Sequence, residues 1–105
     1  MTKDKIQELI AQIDPEAKHY EVATDGRNFT VWMEYERIVF YADDGQAEHG
    51  WRFEVDRYTK DEDDPIPDQL EKLLEEDDRI VVRPRRVMYD QRSGYIRHIF
   101  DCEAV

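Results

Sequence analysis

The sequence has few of the residues that build disulfide frameworks, metal clusters or membrane spans. Cys102 is the only cysteine among 105 residues, which excludes an intrachain disulfide and a cysteine-based metal site. No apolar run approaches the roughly 18 residues that a membrane-spanning helix needs. The first residues, MTKDKIQELI, lack the apolar core of a signal peptide. We therefore expect a cytoplasmic protein that forms a single domain over residues 1–105.

Basic residues are scarce relative to acidic ones. The chain has 15 Lys and Arg against 26 Asp and Glu, which gives a net charge of −11. Residues 1–78 hold a balance of −14, whereas residues 79–105 hold a balance of +3. Such a charge opposes binding to nucleic acid or to anionic lipid and favours a basic partner. Ordinary solubility or adaptation to salt would produce the same bias, and composition alone leaves that alternative open.

Apolar residues at helical spacing predict two helices. In the first, four apolar residues recur at i, i+3, i+4 and i+7, namely Ile6, Leu9, Ile10 and Ile13. The helix is expected to follow a cap at Thr2 or Asp4 and to stop at Asp14-Pro15. The second begins with prolines in its first turn, where a missing N–H group does no harm. Its predicted buried residues are Ile66, Leu70, Leu73 and Leu74.

The Asp25-Gly26 pair predicts a tight hairpin between residues 18–23 and a second strand that runs from Asn28 to about Ala42. The turn would place Val22 opposite Phe29 and the odd-numbered residues of the second strand toward the core.

A third strand follows, in which WRFEVDRY alternates between apolar and polar residues. If Ala42 of the second strand pairs with Trp51 of the third, residues of opposite charge on the two strands lie opposite each other, which supports this register. In this register the core residues of the second strand are even-numbered from Ile38 onward, whereas the first hairpin makes them odd-numbered up to Met33. This change predicts a β-bulge near residues 34–37. The pairs that the register predicts are Phe40 with Phe53, Ile38 with Val55, Arg37 with Asp56, and Glu36 with Arg57.

A second hairpin is predicted after the second helix, from residues 79–89 and 95–102. Its register sets Val82 opposite Cys102 and Tyr89 opposite Tyr95, and Pro84 indicates a sheet edge or a bulge. The complete order is α-β-β-β-α-β-β. It predicts an α+β domain with an antiparallel five-stranded sheet and two helices packed against it.

No arrangement of side chains indicates catalysis. Ser93 lies beside Gly94 in a predicted turn, and Cys102 is four strand residues, roughly 13 Å, from His98. The chain has no nucleophile elbow, phosphate loop or dinucleotide fingerprint. The histidines lack metal-ligand spacing, and the acidic run of residues 61–64 lacks the alternation of a calcium loop. We therefore expect no enzymatic activity, no cofactor and no metal.

The most informative anomaly is the second helix, which ends in four acids although a helix C-terminus disfavours negative charge. Asp68, Glu71, Glu75 and Asp78 recur at spacings of 3, 4 and 3, which predicts one exposed stripe. Carboxylates about 6 Å apart on a helix can stand in for the phosphates of a nucleic acid. The alternative is that the following arginines neutralise the helix end locally. The predicted partner-binding residues are Asp61, Asp63, Asp64, Asp68, Glu71, Glu75, Glu76 and Asp78.

A competing surface mixes arginines with tyrosines on the predicted C-terminal hairpin, a composition that binds single-stranded nucleic acid. The same residues could pair with the acids of the second helix or dock a second copy. This alternative face consists of Arg83, Arg85, Tyr89, Arg92, Tyr95 and Arg97.

Two known layouts have a similar order of elements. The first five elements resemble a double-stranded-RNA-binding domain, which binds through lysines of its second helix. Here that helix carries Glu71, Lys72, Glu75 and Glu76, which argues against RNA. The whole order resembles the small acidic chaperones of type III secretion, which add a third helix.

Together these patterns predict a non-enzymatic, acidic domain that occupies a basic protein such as a nuclease, a DNA-binding protein or a toxin. Inhibitor, immunity and anti-defence proteins belong to this class. The alternatives are a chaperone-like or self-associating module, possible as a homodimer, and a weak nucleic-acid binder that uses the C-terminal hairpin.

Overall fold

The computed structural model describes residues 1–41, 45 and 47–105, apart from the side chain of Phe40. The fold is α+β, with two helices and a mixed sheet of six strands. In chain order the elements are α1 (Lys3–Ala11), β1 (Lys18–His19), β2 (Phe29–Tyr41), β3 (Ala47–Thr59), α2 (Ile66–Glu76), β4 (Ile80–Val82), β5 (Arg86–Tyr89) and β6 (Ile96–Ala104). The sheet order is β1-β2-β3-β6-β4, and β5 also pairs with β6. Neither described helix is both long and apolar enough to cross a bilayer.

Both helices pack on one face of the sheet, which we call the helix face. Its buried side chains include Trp32, Phe53, Val55 and Phe100, which form one cluster with apolar residues of α1 and α2. Because side chains alternate along a strand, the intervening residues point to the opposite face, which we call the open face. Most residues of the predicted apolar stripes are buried: Ile6, Leu9 and Ile10 in α1, and Leu70 and Leu74 in α2, together with Pro67. The other predicted residues, Ile13, Ile66 and Leu73, are partly buried against the core, and Ile13 lies beyond the end of α1.

Both helix starts follow the expected chemistry. The Oγ1 atom of Thr2 accepts a hydrogen bond of 3.2 Å from the Lys5 amide, as a helix cap does. Pro67 lies in the first turn of α2. The first helix ends at Ala11, before the expected stop at Asp14-Pro15.

The predicted first hairpin is wrong. Only Lys18 and His19 form a strand, and they pair parallel to Val31 and Trp32 of β2. Tyr20 adopts a positive φ of 69°, which turns the chain away from the antiparallel path. The His19 ring stacks on Trp32 with centroids 4.1 Å apart, and Trp32 rather than its odd-numbered neighbours belongs to the core cluster. The sheet is therefore mixed and six-stranded, not antiparallel and five-stranded.

The register predicted between β2 and β3 is also wrong, although the bulge is confirmed. Trp51 pairs with Arg37, and Val55 pairs with Trp32 instead of Ile38. The predicted partner of Trp51, Ala42, lies outside the described residues. The other three predicted pairs do not form either, and their members pair elsewhere: Phe53 with Glu34, Asp56 with Val31, Arg57 with Thr30 and Glu36 with Arg52.

The registers differ because β3 begins at Ala47, inside the segment that was expected to be a loop. An earlier start moves every β3 residue toward the beginning of β2. The pairing nevertheless shifts between Glu34 and Glu36, where the reversal of parity predicts the bulge.

The C-terminal hairpin is partly as predicted. Val82 pairs with Cys102, as expected, but Tyr89 pairs with Ile96 rather than Tyr95. The predicted single strand is divided into β4 and β5 around Pro84, which has no N–H group to donate to a ladder. The division shifts the register by one residue, which moves the side chains of the second part to the other face.

Candidate functional site

The acidic segment, which we define as residues 61–78, holds most of the chain's negative charge. It contains ten carboxylates and one lysine, a balance of −9 within a chain of −11. It comprises α2, the loop before it and the turn after it. The structure divides these carboxylates into those that hold the fold together and those that remain open to solvent.

The loop before α2 is organised by its own acids. The Oδ1 atom of Asp61 accepts a hydrogen bond of 2.9 Å from the Asp63 amide, and the Oδ1 atom of Asp64 accepts one of 3.0 Å from the Ile66 amide. Asp64 also receives the Nε–H group of Arg57 at 2.8 Å, and its side chain is only 6% exposed. Burial by itself raises the pKa of Asp64, but the hydrogen bonds from Arg57 and Ile66 outweigh it, so that the pKa is lowered. Asp64 therefore has a structural role.

Arg85 binds the middle of the predicted acidic stripe. Its Nη2 atom lies 2.8 Å from Oδ1 of Asp68, and its Nε atom lies 3.0 Å from Oε2 of Glu71. The guanidinium also lies 5.8 Å from the centroid of the Phe100 ring, on the helix face. Asp68 and Glu71 thus share one cation of their own chain.

The turn after α2 explains how the helix tolerates acids at its C-terminus. The helix ends at Glu76, and Asp77 leaves it with an extended backbone. Asp77 accepts hydrogen bonds from the amide and the guanidinium of Arg79 at 2.8–3.0 Å. These bonds lower the pKa of Asp77, although burial opposes them. Asp78 lies beyond the helix in this turn, so the predicted helical stripe ends before it.

After this pairing the acidic segment still carries excess negative charge. Among the described residues, four cations lie within 4 Å of its carboxylates, namely Arg57, Lys72, Arg79 and Arg85. Ten carboxylates against four cations leave a local balance of −6. The exposed carboxylates at the two ends of α2, which we call the open acidic surface, are Asp61, Glu62 and Asp63 before the helix and Glu75, Glu76 and Asp78 at its end. Asp68 is also exposed but is bound by Arg85.

The alternative arginine and tyrosine residues do not share one face. Arg97 follows the parity of Ile99 and lies on the open face, where it binds Asp56 at 2.8 Å. Arg85 lies on the helix face with Asp68. The one-residue shift between β4 and β5 separates them. The prediction placed them on one face because it assumed a single continuous strand from residue 79 to residue 89.

Of the remaining members of that set, Tyr89, Arg92 and Tyr95 lie around the hairpin turn, and Arg83 lies between β4 and β5. The hydroxyl group of Tyr95 donates to the Arg27 carbonyl at 2.7 Å, and its ring meets Phe29 and Tyr58 edge-on. A shallow cleft of about 370 Å³ opens beside these rings. Tyr89 lines this cleft and is exposed, as are Arg83 and the turn residue Arg92.

The open face holds an ion network with one buried acid. Arg97 contacts Asp56 through Nε and Nη2 at 3.0 and 2.8 Å, and it reaches Glu54 at 3.0 Å. Asp56 is only 4% exposed, and its Oδ1 atom has no partner among the described residues. Burial, followed by the neighbouring Glu54 carboxylate, raises the pKa of Asp56 to about 7. Arg97 opposes this rise. The sequence predicted Arg37 rather than Arg97 as the partner of Asp56, and it did not predict the burial of Asp56, which depends on neighbouring strands.

Ser93 and Cys102, the residues considered for catalysis, and His19, which lies near a carboxylate, have other contacts. His19 lies 2.6 Å from Glu34, and Ser93 donates to Asp90 at 2.9 Å within the hairpin turn. Cys102 is buried in the core cluster, and burial raises the pKa of its thiol. Across the described residues, no group of three or more His, Cys, Asp or Glu side chains could hold a metal ion.

These contacts place an open acidic surface at the two ends of α2 and a closed ion network on the opposite side of the sheet. Comparison with models of known protein families and with curated proteins finds no match to the chain.

Proposed function

We propose that this protein is a non-enzymatic binding domain whose open acidic surface occupies a basic partner protein. Inhibitor, immunity and anti-defence proteins belong to this class, and the carboxylates would take the place of the phosphates that such a partner normally contacts. The single observation that supports this proposal is the balance of −6 that remains in the acidic segment after its own arginines and lysine are counted.

The geometry gives the proposed surface two negative ends. Asp63 precedes α2 and Glu75 lies near its end, and the helix between Ile66 and Glu75 is roughly 14 Å long by the helical rise. Between them, Arg85 partly neutralises Asp68 and Glu71. A complementary partner would place two clusters of Lys or Arg at about this separation. Opposed charges of this kind accelerate association and set its orientation more than they raise affinity.

The experiment compares two double charge reversals that alter the net charge equally. Glu62→Lys/Glu75→Lys changes both ends of the open acidic surface. Glu16→Lys/Glu21→Lys changes two exposed glutamates outside it. A basic protein captured from a cell extract is purified and titrated against each variant by calorimetry. The first variant should lose binding, and the second should retain it.

Salt supplies a second readout for the same complex. Because exposed charges are screened within about 8–10 Å near physiological ionic strength, affinity should fall steeply between about 50 and 500 mM salt. Equal loss of binding in both variants would mean that only net charge matters. Binding that survives in Glu62→Lys/Glu75→Lys would refute the proposed surface.

The nucleic-acid alternative has less support. Arg85 and Arg97, which would contact phosphates, each bind two carboxylates of their own chain. A nucleic acid would have to displace those carboxylates and approach a chain whose net charge is −11.

A further inference from the structure

The outer edge of β2 has no neighbouring strand along most of its length. Strand β1 pairs only with Val31 and Trp32, so within the described residues the backbone from Met33 to Tyr41 has a strand on its inner side alone. An edge of this kind presents a row of N–H and C=O groups that another strand can bind. At about 3.3 Å per residue the free edge is roughly 30 Å long.

The two halves of this edge differ in how they are protected. The inner half carries a bulge and the charged residues Glu34, Glu36 and Arg37, which are common means of preventing edge-to-edge association. The outer half, residues 38–41, carries no charge. Two of its side chains are largely exposed: Val39 is 51% and Tyr41 is 76% accessible. The outer half is therefore open to another strand.

The outer half also extends beyond the rest of the sheet. Strand β6 pairs with β3 only from Trp51 onward, so residues 38–41 and 47–50 form a ribbon of two strands. A ribbon of two strands is at best marginally stable in water, because it buries little apolar surface. A third strand on the free edge of β2 would supply both backbone partners and apolar cover.

We propose that the third strand is β2 of a second copy of this chain, paired antiparallel across a two-fold axis. An antiparallel edge is its own complement, because each copy offers the donors and acceptors that the other requires. The axis is perpendicular to the sheet, so the two sheets become continuous and both helix layers lie on the same side. The proposal does not depend on the proposed function, since it uses the sheet edge and not the acidic segment.

The charges on the edge select the register. Centring the axis on Glu36 or Arg37 would place identical charges directly opposite each other, and an axis on Tyr35 would fall on the bulge. Like charges in directly opposed positions are destabilising. Axes on Ile38, Val39 and Phe40 all avoid these contacts, and among them the axis on Ile38 gives the longest pairing within the described residues, from Tyr35 to Tyr41. It places Arg37 opposite Val39 of the second copy, and we therefore place Ile38 on the two-fold axis.

The first test compares matched lysine substitutions at the two edges of the sheet. Val39 and Val87 are similarly exposed, at 51% and 57%, but Val87 lies on β5 at the far edge. Sedimentation equilibrium of the full chain over about a hundredfold range of concentration should show a dimer. Val39→Lys should weaken the dimer at least about tenfold, because it creates two like-charged pairs with Arg37. Val87→Lys should leave the dimer unchanged.

The second test reads the register directly. On the axis, the Cα atoms of residue 38 in the two copies would lie about 4.5–5.5 Å apart, which is within disulfide range. Ile38→Cys should therefore form a cross-linked dimer on mild oxidation. Glu36→Cys, whose copies would lie roughly 13 Å apart, should not. The native Cys102 is buried, so it does not compete.

Three results would overturn the proposal: a monomer at every concentration, a dimer broken by Val87→Lys but not by Val39→Lys, or equal cross-linking of the two cysteine variants. The cysteine pair remains informative if the lysine variant fails to fold. Salt separates this proposal from the proposed function. The dimer should be strengthened by screening of the net charge, whereas binding of a basic partner should be weakened.

Discussion

Arg57 joins three separate parts of the chain through one nearly buried guanidinium. Its Nε atom donates to Asp64 at 2.8 Å, and its Nη1 atom donates to Asp14 at 3.2 Å and to Thr30 at 3.3 Å. The side chains of Arg57, Asp14 and Asp64 are 11%, 13% and 6% exposed. Removing the guanidinium would leave two carboxylates with little water and no cation.

We predict that Arg57→Met lowers the free energy of unfolding by about 3–5 kcal/mol at pH 7, the cost of removing one partner from a buried ion pair. Methionine retains the apolar stem of arginine, so that the loss reflects the charge and its hydrogen bonds rather than a cavity. Because domains of this kind are stable by about 5–15 kcal/mol, such a loss is readily measured by urea denaturation.

The pH dependence of this loss identifies its cause. In the wild type the pKa of Asp64 is lowered, so its contribution to stability is present above the unfolded value of 3.8 and is lost as pH falls through the folded value. Without Arg57, burial is unopposed and the pKa of Asp64 should rise. The difference in stability between Arg57→Met and the wild type should therefore shrink as pH falls from 7 toward 4.

A double substitution completes the test. In Arg57→Met/Asp64→Asn the buried charge is removed together with its partner, so the double variant should be more stable than Arg57→Met alone. A loss below about 1 kcal/mol for Arg57→Met, typical of exposed ion pairs, would refute the argument. A loss that is constant from pH 7 to pH 4 would refute it as well.

Three further predictions concern the open face, the sheet and the acidic segment. The raised pKa of Asp56 means that its contribution to stability is present below pH 3.8 and is lost as pH rises through about 7. Between pH 4 and pH 8 the free energy of unfolding of the wild type should fall by about 2–4 kcal/mol as Asp56 ionises, and Asp56→Asn should lack this fall, as measured by urea denaturation. An equal dependence of unfolding free energy on pH in the two proteins would contradict this. Gly50→Ala should cost at least about 1–3 kcal/mol in thermal or urea unfolding, because a Cβ atom would collide with the carbonyl oxygen of Ala104; a neutral result would contradict the close approach. Arg85→Gln should leave Asp68 without its cation, which should strengthen binding to a basic partner and steepen its dependence on salt in the calorimetric titration; weaker binding would show that the arginine itself contacts the partner.

The features that the sequence predicted correctly depend on neighbours along the chain. The two helices follow from apolar spacing, and the bulge follows from a reversal of parity within one strand. The first hairpin was wrong because the positive φ of Tyr20 and the stacking of His19 on Trp32 overrode a favourable Asp-Gly turn. These contacts join residues of different elements, so no local pattern revealed them.

The same distinction holds for the acidic segment. Its charge and its position around α2 were evident in the sequence, because they require only composition and helical spacing. The sequence did not show which acids remain open to solvent, because Asp68 is paired with an arginine 17 residues away and Asp64 is paired with an arginine of β3. The predicted set therefore includes both fold-stabilising carboxylates and those of the open acidic surface.

The position of β6 determines the order in which the molecule can assemble during synthesis. This strand lies between β3 and the β4 and β5 pair, yet the ribosome makes it after all of them. Until residues 96–104 emerge, the central part of the sheet cannot close, and Phe53 and Val55 lack the strand that completes their layer. The nascent chain must therefore expose apolar strand edges until almost all of this sequence has been translated, which makes that interval the period of greatest risk of aggregation.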